Sequence, residues 1–159
     1  MSMYVISGPQ GSGKSIKAEN YIASIDDGEN KAYIATMVPY GEEGAARVAR
    51  HRAQREGKGY ITYEQPRNLY ELVPTLKSRG HRTALLECAS NLIGNEMYYE
   101  GNKNLSDEEL VSLVIDEVKA IEACVDTLVV VSNDFDDSVD YDEETRRYVR
   151  LCREVALLL

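Results

Sequence analysis

The chain has 159 residues, 43% of them hydrophobic, and a formal net charge of −9. That length and apolar content suit one domain over residues 1–159 with a single sizeable core. The acidic balance argues against a general nucleic-acid binder, and no apolar run is long enough for a membrane span. The apolar start is too short for a signal peptide, so a cytoplasmic protein is expected. Cys88, Cys124 and Cys152 are widely separated and include no C-x-x-C pair, so packed, reduced thiols are expected rather than a disulfide framework or a structural zinc site.

In chain order, Met3-Tyr4-Val5-Ile6 reads as a short buried strand and Ile16 to Ala23 as a helix. Between them lies Gly8-Pro9-Gln10-Gly11-Ser12-Gly13-Lys14-Ser15, which fills every fixed position of the G-x-x-x-x-G-K-[ST] phosphate loop. Its glycines permit a tight turn whose N–H groups point inward as an anion nest, and the following helix aims its positive end at the same point. Lys14 is expected to reach the β- and γ-phosphates, and the Ser15 hydroxyl to ligate Mg²⁺. Strand, glycine-rich turn and helix in that order predict a nucleoside triphosphate site.

Lys31 to Thr36 reads as a second strand and Met37 to Gly41 as a loop. Glu42 to Arg55 turns helical, rich in alanine and arginine, with Val48 as its one large aliphatic residue. Such a helix is too polar for a core and belongs on the surface or over a ligand. Arg47 and His51 are four apart, with Arg50 and Gln54 close to the same side. On pattern alone this is an ordinary solvated basic face; a polyphosphate cup is the sharper alternative.

Gly59 to Glu64 is expected to be a strand, followed by a turn over 66–68. Leu69, Leu72, Val73 and Leu76 mark an amphipathic helix that Pro74 kinks or divides, with Gly80 and His81 as its stop. Thr83-Ala84-Leu85-Leu86-Glu87 is an apolar strand ending in an acid, the place from which a carboxylate can hold Mg²⁺; a helix cap is the blander role. Ala89 to Tyr99 can be helical despite Gly94, and 100–104 is a polar loop. Ser106 and Glu109 spell a capping box before a helix striped with Leu110, Leu113, Val114, Val118 and Ile121.

Thr127 to Ser132 is the most β-like stretch and reads as a central parallel strand. The acids from Asp134 to Glu144 lack EF-hand spacing and are expected to form a solvated loop running into a last helix, roughly Glu143 to Leu158. Strands alternating with helices predict an α/β domain with a mainly parallel sheet and its ligand at the strands' C-terminal ends.

Several of these pieces together resemble one family of P-loop, three-layer enzymes, the bifunctional adenosylcobinamide kinase/adenosylcobinamide-phosphate guanylyltransferases of cobalamin biosynthesis. The likeness is carried by Gly8 to Ser15, Tyr33-Ile34-Ala35-Thr36, Glu43 to Arg52, Glu64, Leu85-Leu86-Glu87-Cys88 and Val131-Ser132-Asn133, up to about Asn133. The resemblance implies phosphorylation of adenosylcobinamide by a nucleoside triphosphate, then passage of GMP from GTP, through a histidine, to the corrinoid phosphate. It places the guanylylated histidine at His51, with Lys14 as the second catalytic residue. It places nucleotide contacts at Gly8 to Ser15, Ala35, Thr36, Met37, Arg52, Ala53, Gln54, Arg55, Glu64 and Glu87; Arg47 is expected to join them as a donor to the triphosphate, and Ser15 and Glu87 to hold Mg²⁺. GTP and ATP are the implied nucleotides, a corrinoid the acceptor, and a cytoplasmic homotrimer the assembly.

Nearby arginines are expected to disfavour the imidazolium of His51 and so to help it as a nucleophile. The chain departs from the family pattern at Asn133-Asp134-Phe135-Asp136, where Asn-Glu-Val-Gly is usual, and looks short at its C-terminus. A phosphate-loop kinase with another acceptor and a catalytically weak nucleotide-binding regulator are the rival readings.

Overall fold

A computed structural model describes residues 2–159. Five strands, β1 (Ser2–Gly8), β2 (Lys31–Ala35), β3 (Tyr60–Glu64), β4 (Thr83–Glu87) and β5 (Thr127–Asn133), form one sheet in the order β1-β5-β4-β2-β3. Every pairing is parallel, so the expected mainly parallel sheet is wholly so over these strands. The helices are α1 (Lys14–Ile25), α2 (Gly41–Arg55), α3 (Val73–Arg79), α4 (Ala89–Met97), α5 (Asp107–Glu122) and α6 (Glu143–Leu158). The result is a three-layer α/β fold of the P-loop NTPase type.

Apolar runs without alternation make β2, β4 and β5 interior strands, buried on both faces. Their pleat sends Ala32, Ile34, Ala84, Leu86, Leu128 and Val130 into the larger core, which α4, α5 and α6 complete. Tyr33, Leu85, Val129 and Val131 point the other way, against Ala18 and Ile22 of α1. Register then lines up the strand ends. Ala35 stands opposite both Glu64 and Glu87, Glu87 opposite Val131, and Gly8 opposite Asn133. The residues that end the strands therefore share one edge of the sheet.

Local signals hold in detail. The Ser106–Glu109 capping box opens α5. Pro74 sits at the start of α3, dividing the expected helix into a 3₁₀ turn over Leu69–Leu72 and a short α-helix that Gly80 ends at φ 65°. Asp142 caps α6 by accepting from the Thr145 amide at 2.7 Å. Leu113, part of the expected apolar stripe, is half-buried, as is Tyr148 of α6.

His81 is a loop residue as expected, but a buried one. Its Nδ1 lies 2.7 Å from the Asn30 carbonyl, which can only accept, so Nδ1 carries the proton and Nε2 accepts from the Tyr63 hydroxyl at 2.7 Å. The ring thus staples β3 to the loops before β2 and β4.

One polar cluster is built into the larger core. Glu96 and Glu117 are both 1% exposed. Glu96 accepts from Arg67 at 3.2 Å and from Asn102 at 3.0 Å. Burial, and then Glu96 beside it, push the Glu117 carboxyl up to about 9. Above the unfolded value near 4.5, folding therefore requires Glu117 to hold a proton that the unfolded chain has released. Stability is expected to decline from pH 5 toward pH 9 on this account. Glu117→Gln keeps a donor toward Glu96 and should raise the melting temperature at pH 8 and flatten that slope; thermal melts across pH will read both.

Candidate active site

The shared edge opens into a cleft of about 810 Å³ between the phosphate loop and α2. The loop leaves β1 at Gly8 and turns through Gly11 (φ 79°) and Gly13 (φ 83°), left-handed backbone that favours glycine. The Ser12 amide donates to the Pro9 carbonyl at 3.1 Å, closing the turn. A Cβ on Gly8 would stand 2.7 Å from Ser12 Oγ, so a side chain there would displace the Ser12 hydroxyl. Lys14, 9% exposed, opens α1 and donates from Nζ to the Pro9 carbonyl at 3.3 Å. Its charge is held at the floor of the cleft, where α1 presents its unpaired N-terminal amides.

Glu87, at the end of β4, is the hub. Its two oxygens accept hydrogen bonds from the hydroxyls of Ser15 and Tyr33, and His51 Nδ1 stands 4.0 Å away. Tyr33 was not singled out from the sequence. Burial, then the Glu87 charge, push its hydroxyl far up, so it stays a donor. Ser15 and Glu87, joined across 72 positions, bring two hard oxygen donors beside the loop. Among the described residues no three His, Cys, Asp or Glu side chains cluster as a metal site. Two protein oxygens are what Mg²⁺ uses when phosphates and water complete its shell, so the donor set fits that ion.

The polar helix α2 forms the opposite wall. Its largest aliphatic, Val48, lines the cleft with Arg47, Arg50, His51 and Gln54. The face read as either solvated or phosphate-cupping therefore looks onto the phosphate loop. Arg47 lies against Gln10 of the loop, whose amide oxygen, turned toward it, accepts from the guanidinium. Arg55 is 7% exposed, with its guanidinium carbon 3.5 Å from the centre of the Tyr33 ring. Gln54 donates to the buried carboxylate of Glu19 on α1, fixing the C-terminal end of α2. Arg52 pairs with Glu64 at the exposed mouth.

His51 is one-third exposed. Burial lowers its pKa most; Glu87 opposes, and Arg47, Arg55 and Arg50 lower it further. The arginines act as expected, but desolvation leads. The ring is therefore neutral at pH 7, as a nitrogen nucleophile must be.

Ala35 and Met37 also line the cleft, whereas Thr36 and Ala53 do not. Thr36 is fully buried, and its hydroxyl donates to the Cys88 carbonyl and accepts from the Cys88 amide, both at 2.8 Å. That side chain ties β2 to β4. Ala53 is exposed. Asn91 and Asn133 line the cleft as well and were not among the residues expected there. Burial pushes the nearby Cys88 thiol up to about 11, so it is no nucleophile at neutral pH.

A family model described as cobinamide kinase / cobinamide phosphate guanyltransferase matches residues 4–157. The chain belongs to that family. Membership extends past Asn133, where the quoted likeness stopped, so the altered 133–136 segment and α6 as far as Leu157 lie inside the match. The chain is also 28% identical over 156 residues to the bifunctional adenosylcobalamin biosynthesis protein CobU of Escherichia coli K12, covering 93% of this chain and 83% of that protein. In this member of the cobinamide kinase / cobinamide phosphate guanyltransferase family, no helix among the described residues is long and apolar enough to cross a membrane.

Proposed function

We propose that this protein acts in adenosylcobalamin biosynthesis, phosphorylating a hydroxyl of adenosylcobinamide and then passing GMP from GTP to adenosylcobinamide phosphate through His51. The observation that carries the reading is the placement of a desolvated, arginine-flanked imidazole across one cleft from Lys14 and the phosphate loop. A kinase alone needs the loop and a site for its acceptor. The histidine facing that loop is the part the second reaction explains.

In the first reaction, the acceptor hydroxyl oxygen attacks the γ-phosphorus and releases its proton to solvent, the bond to the bridging oxygen breaks, and the nucleoside diphosphate leaves. The loop amides and Lys14 hold the charge that develops on the phosphates. The Ser15 hydroxyl and the Glu87 carboxylate would hold a Mg²⁺, which would supply charge neutralisation to the triphosphate.

In the second reaction, the free Nε2 of His51 attacks the α-phosphorus of GTP. A P–N bond forms as pyrophosphate departs, and Glu87, on the Nδ1 side, offsets positive charge on the ring. Arg47 and Arg50 are within reach of the leaving phosphates from α2. A phosphate oxygen of the corrinoid then attacks the same phosphorus, the P–N bond breaks, and neutral His51 is restored.

The test is to supply adenosylcobinamide, GTP and Mg²⁺ and to follow the corrinoid by mass spectrometry from pH 5 to pH 8.5. The corrinoid should gain phosphate first and GMP second. Because the reactive imidazole is the unprotonated form and its pKa is lowered from 6.5, GMP transfer should fall in acid with its midpoint below pH 6.5. Phosphate gain without GMP gain would reduce the protein to a kinase.

A further inference from the structure

A second, open groove of about 530 Å³ adjoins the nucleotide cleft, and Val38, Pro66 and Asn91 line both. The two differ sharply in chemistry. The cleft holds Lys14, Arg47, Arg50, Arg52 and Arg55, whereas among the described residues none that lines the groove is charged. Four of the chain's 11 tyrosines, Tyr40, Tyr98, Tyr99 and Tyr148, are gathered there instead. Tyr40 is 80% exposed and Tyr98 62%, so aromatic surface lies open beside the site.

Most of these rings are held in place. Tyr99 stacks on the Arg67 guanidinium at 3.4 Å, and that arginine is anchored by buried Glu96. Tyr148 donates to the Ser90 carbonyl at 2.9 Å and packs edge-on against Phe135. Tyr98 donates to Glu144 at 2.8 Å. The polar groups of the groove are neutral. Asn95 spends both amide hydrogens on the Thr36 and Pro66 carbonyls, each at 2.8 Å, which leaves its side-chain oxygen to accept.

We infer that this groove seats the macrocycle of the corrinoid acceptor, an inference that rests on the function proposed above. A flat ring fringed by uncharged amides calls for aromatic faces and neutral hydrogen-bonding partners, and a triphosphate calls for cations. The two adjoining compartments divide those requirements. With the ring on the tyrosines, the arm bearing the hydroxyl crosses the saddle of Val38 and Pro66 into the cationic cleft. There the hydroxyl meets the γ-phosphorus and, once phosphorylated, the GMP on His51. The acceptor then needs no second docking between the two reactions.

The test is calorimetric titration of adenosylcobinamide, and separately of GTP, into the wild type and a Tyr40→Ala/Tyr98→Ala double variant. Both side chains are exposed, so the variant should fold, and retained GTP affinity will report that it has. Loss of two stacking faces should weaken corrinoid affinity about tenfold or more, with GTP affinity within about twofold. In the wild type, adenosylcobinamide should also protect Tyr40 and Tyr98 from nitration by tetranitromethane, and GTP alone should not. Equal corrinoid affinity in both proteins, or nitration unaffected by corrinoid, overturns the groove and leaves the acceptor assignment standing. No corrinoid binding by the wild type overturns the acceptor assignment and the groove with it.

Discussion

Lys14→Met is expected to lower phosphorylation of the corrinoid roughly 10³-fold and to lower GMP transfer with it. The side chain is nearly buried at the floor of the cleft, tethered by a 3.3 Å bond to a carbonyl of its own loop. Among the described residues no other lysine lines the cleft, and the arginines enter from the opposite wall on α2. Methionine keeps the length of the stem and its packing, so the fold should survive while the charge is lost. GTP affinity should fall less than the rate, because the loop amides still hold the phosphates and a charge developing in the transition state loses most. Initial rates and a GTP titration will separate the two. A rate within tenfold of wild type would remove Lys14 from the chemistry.

Glu87→Ala is expected to damage both reactions and the fold. It leaves the Ser15 and Tyr33 hydroxyls without their shared acceptor, and an orphaned buried hydroxyl costs about 1–3 kcal/mol. It also removes the group that holds the His51 pKa up, leaving burial and three arginines all pressing downward. Guanylylation by this variant should therefore be slow, yet persist to lower pH than in the wild type. Glu87→Gln separates the roles. Its amide oxygen can still accept from Tyr33, so the melting temperature should recover, whereas it brings no negative charge to Mg²⁺ and the kinase rate should stay low by roughly 10²-fold or more. Full recovery of activity in Glu87→Gln would show that the carboxylate is structural only.

What could be read from the chain was what short spacing encodes. The phosphate loop announces itself in eight consecutive residues, and the single large aliphatic, Val48, in 42–55 places α2 outside the core before any partner is known. Ser15 and Glu87 were each read as candidate Mg²⁺ ligands from separate local patterns, one after β1 and one at the end of β4. The fold supplies the register that joins them across 72 positions.

What stayed hidden depends on partners remote in sequence. Tyr33 looks like an ordinary strand aromatic until the parallel pairing of β2 with β4 sets its hydroxyl against Glu87. Its signal was present: a buried tyrosine hydroxyl requires a partner, and the acid two positions beyond Leu85, its neighbour across the ladder, was available. Thr36 illustrates the reverse. Its motif neighbours line the cleft, but its hydroxyl is spent on the backbone of Cys88. Glu96 and Glu117 sit on two amphipathic helices at positions where their burial together has no local signature at all.

The central claim is the guanylyl group on His51. The direct measurement is to incubate the protein with Mg²⁺ and GTP labelled at the α-phosphate, denature it, and compare wild type with His51→Ala. The ring is one-third exposed on the surface helix α2, so the substitution should leave the fold intact. A covalent label on the wild type, lost in acid and missing from His51→Ala, is the predicted result, since a phosphoramidate is acid-labile. A label that persists in His51→Ala, or none on the wild type despite saturable GTP binding, would contradict it.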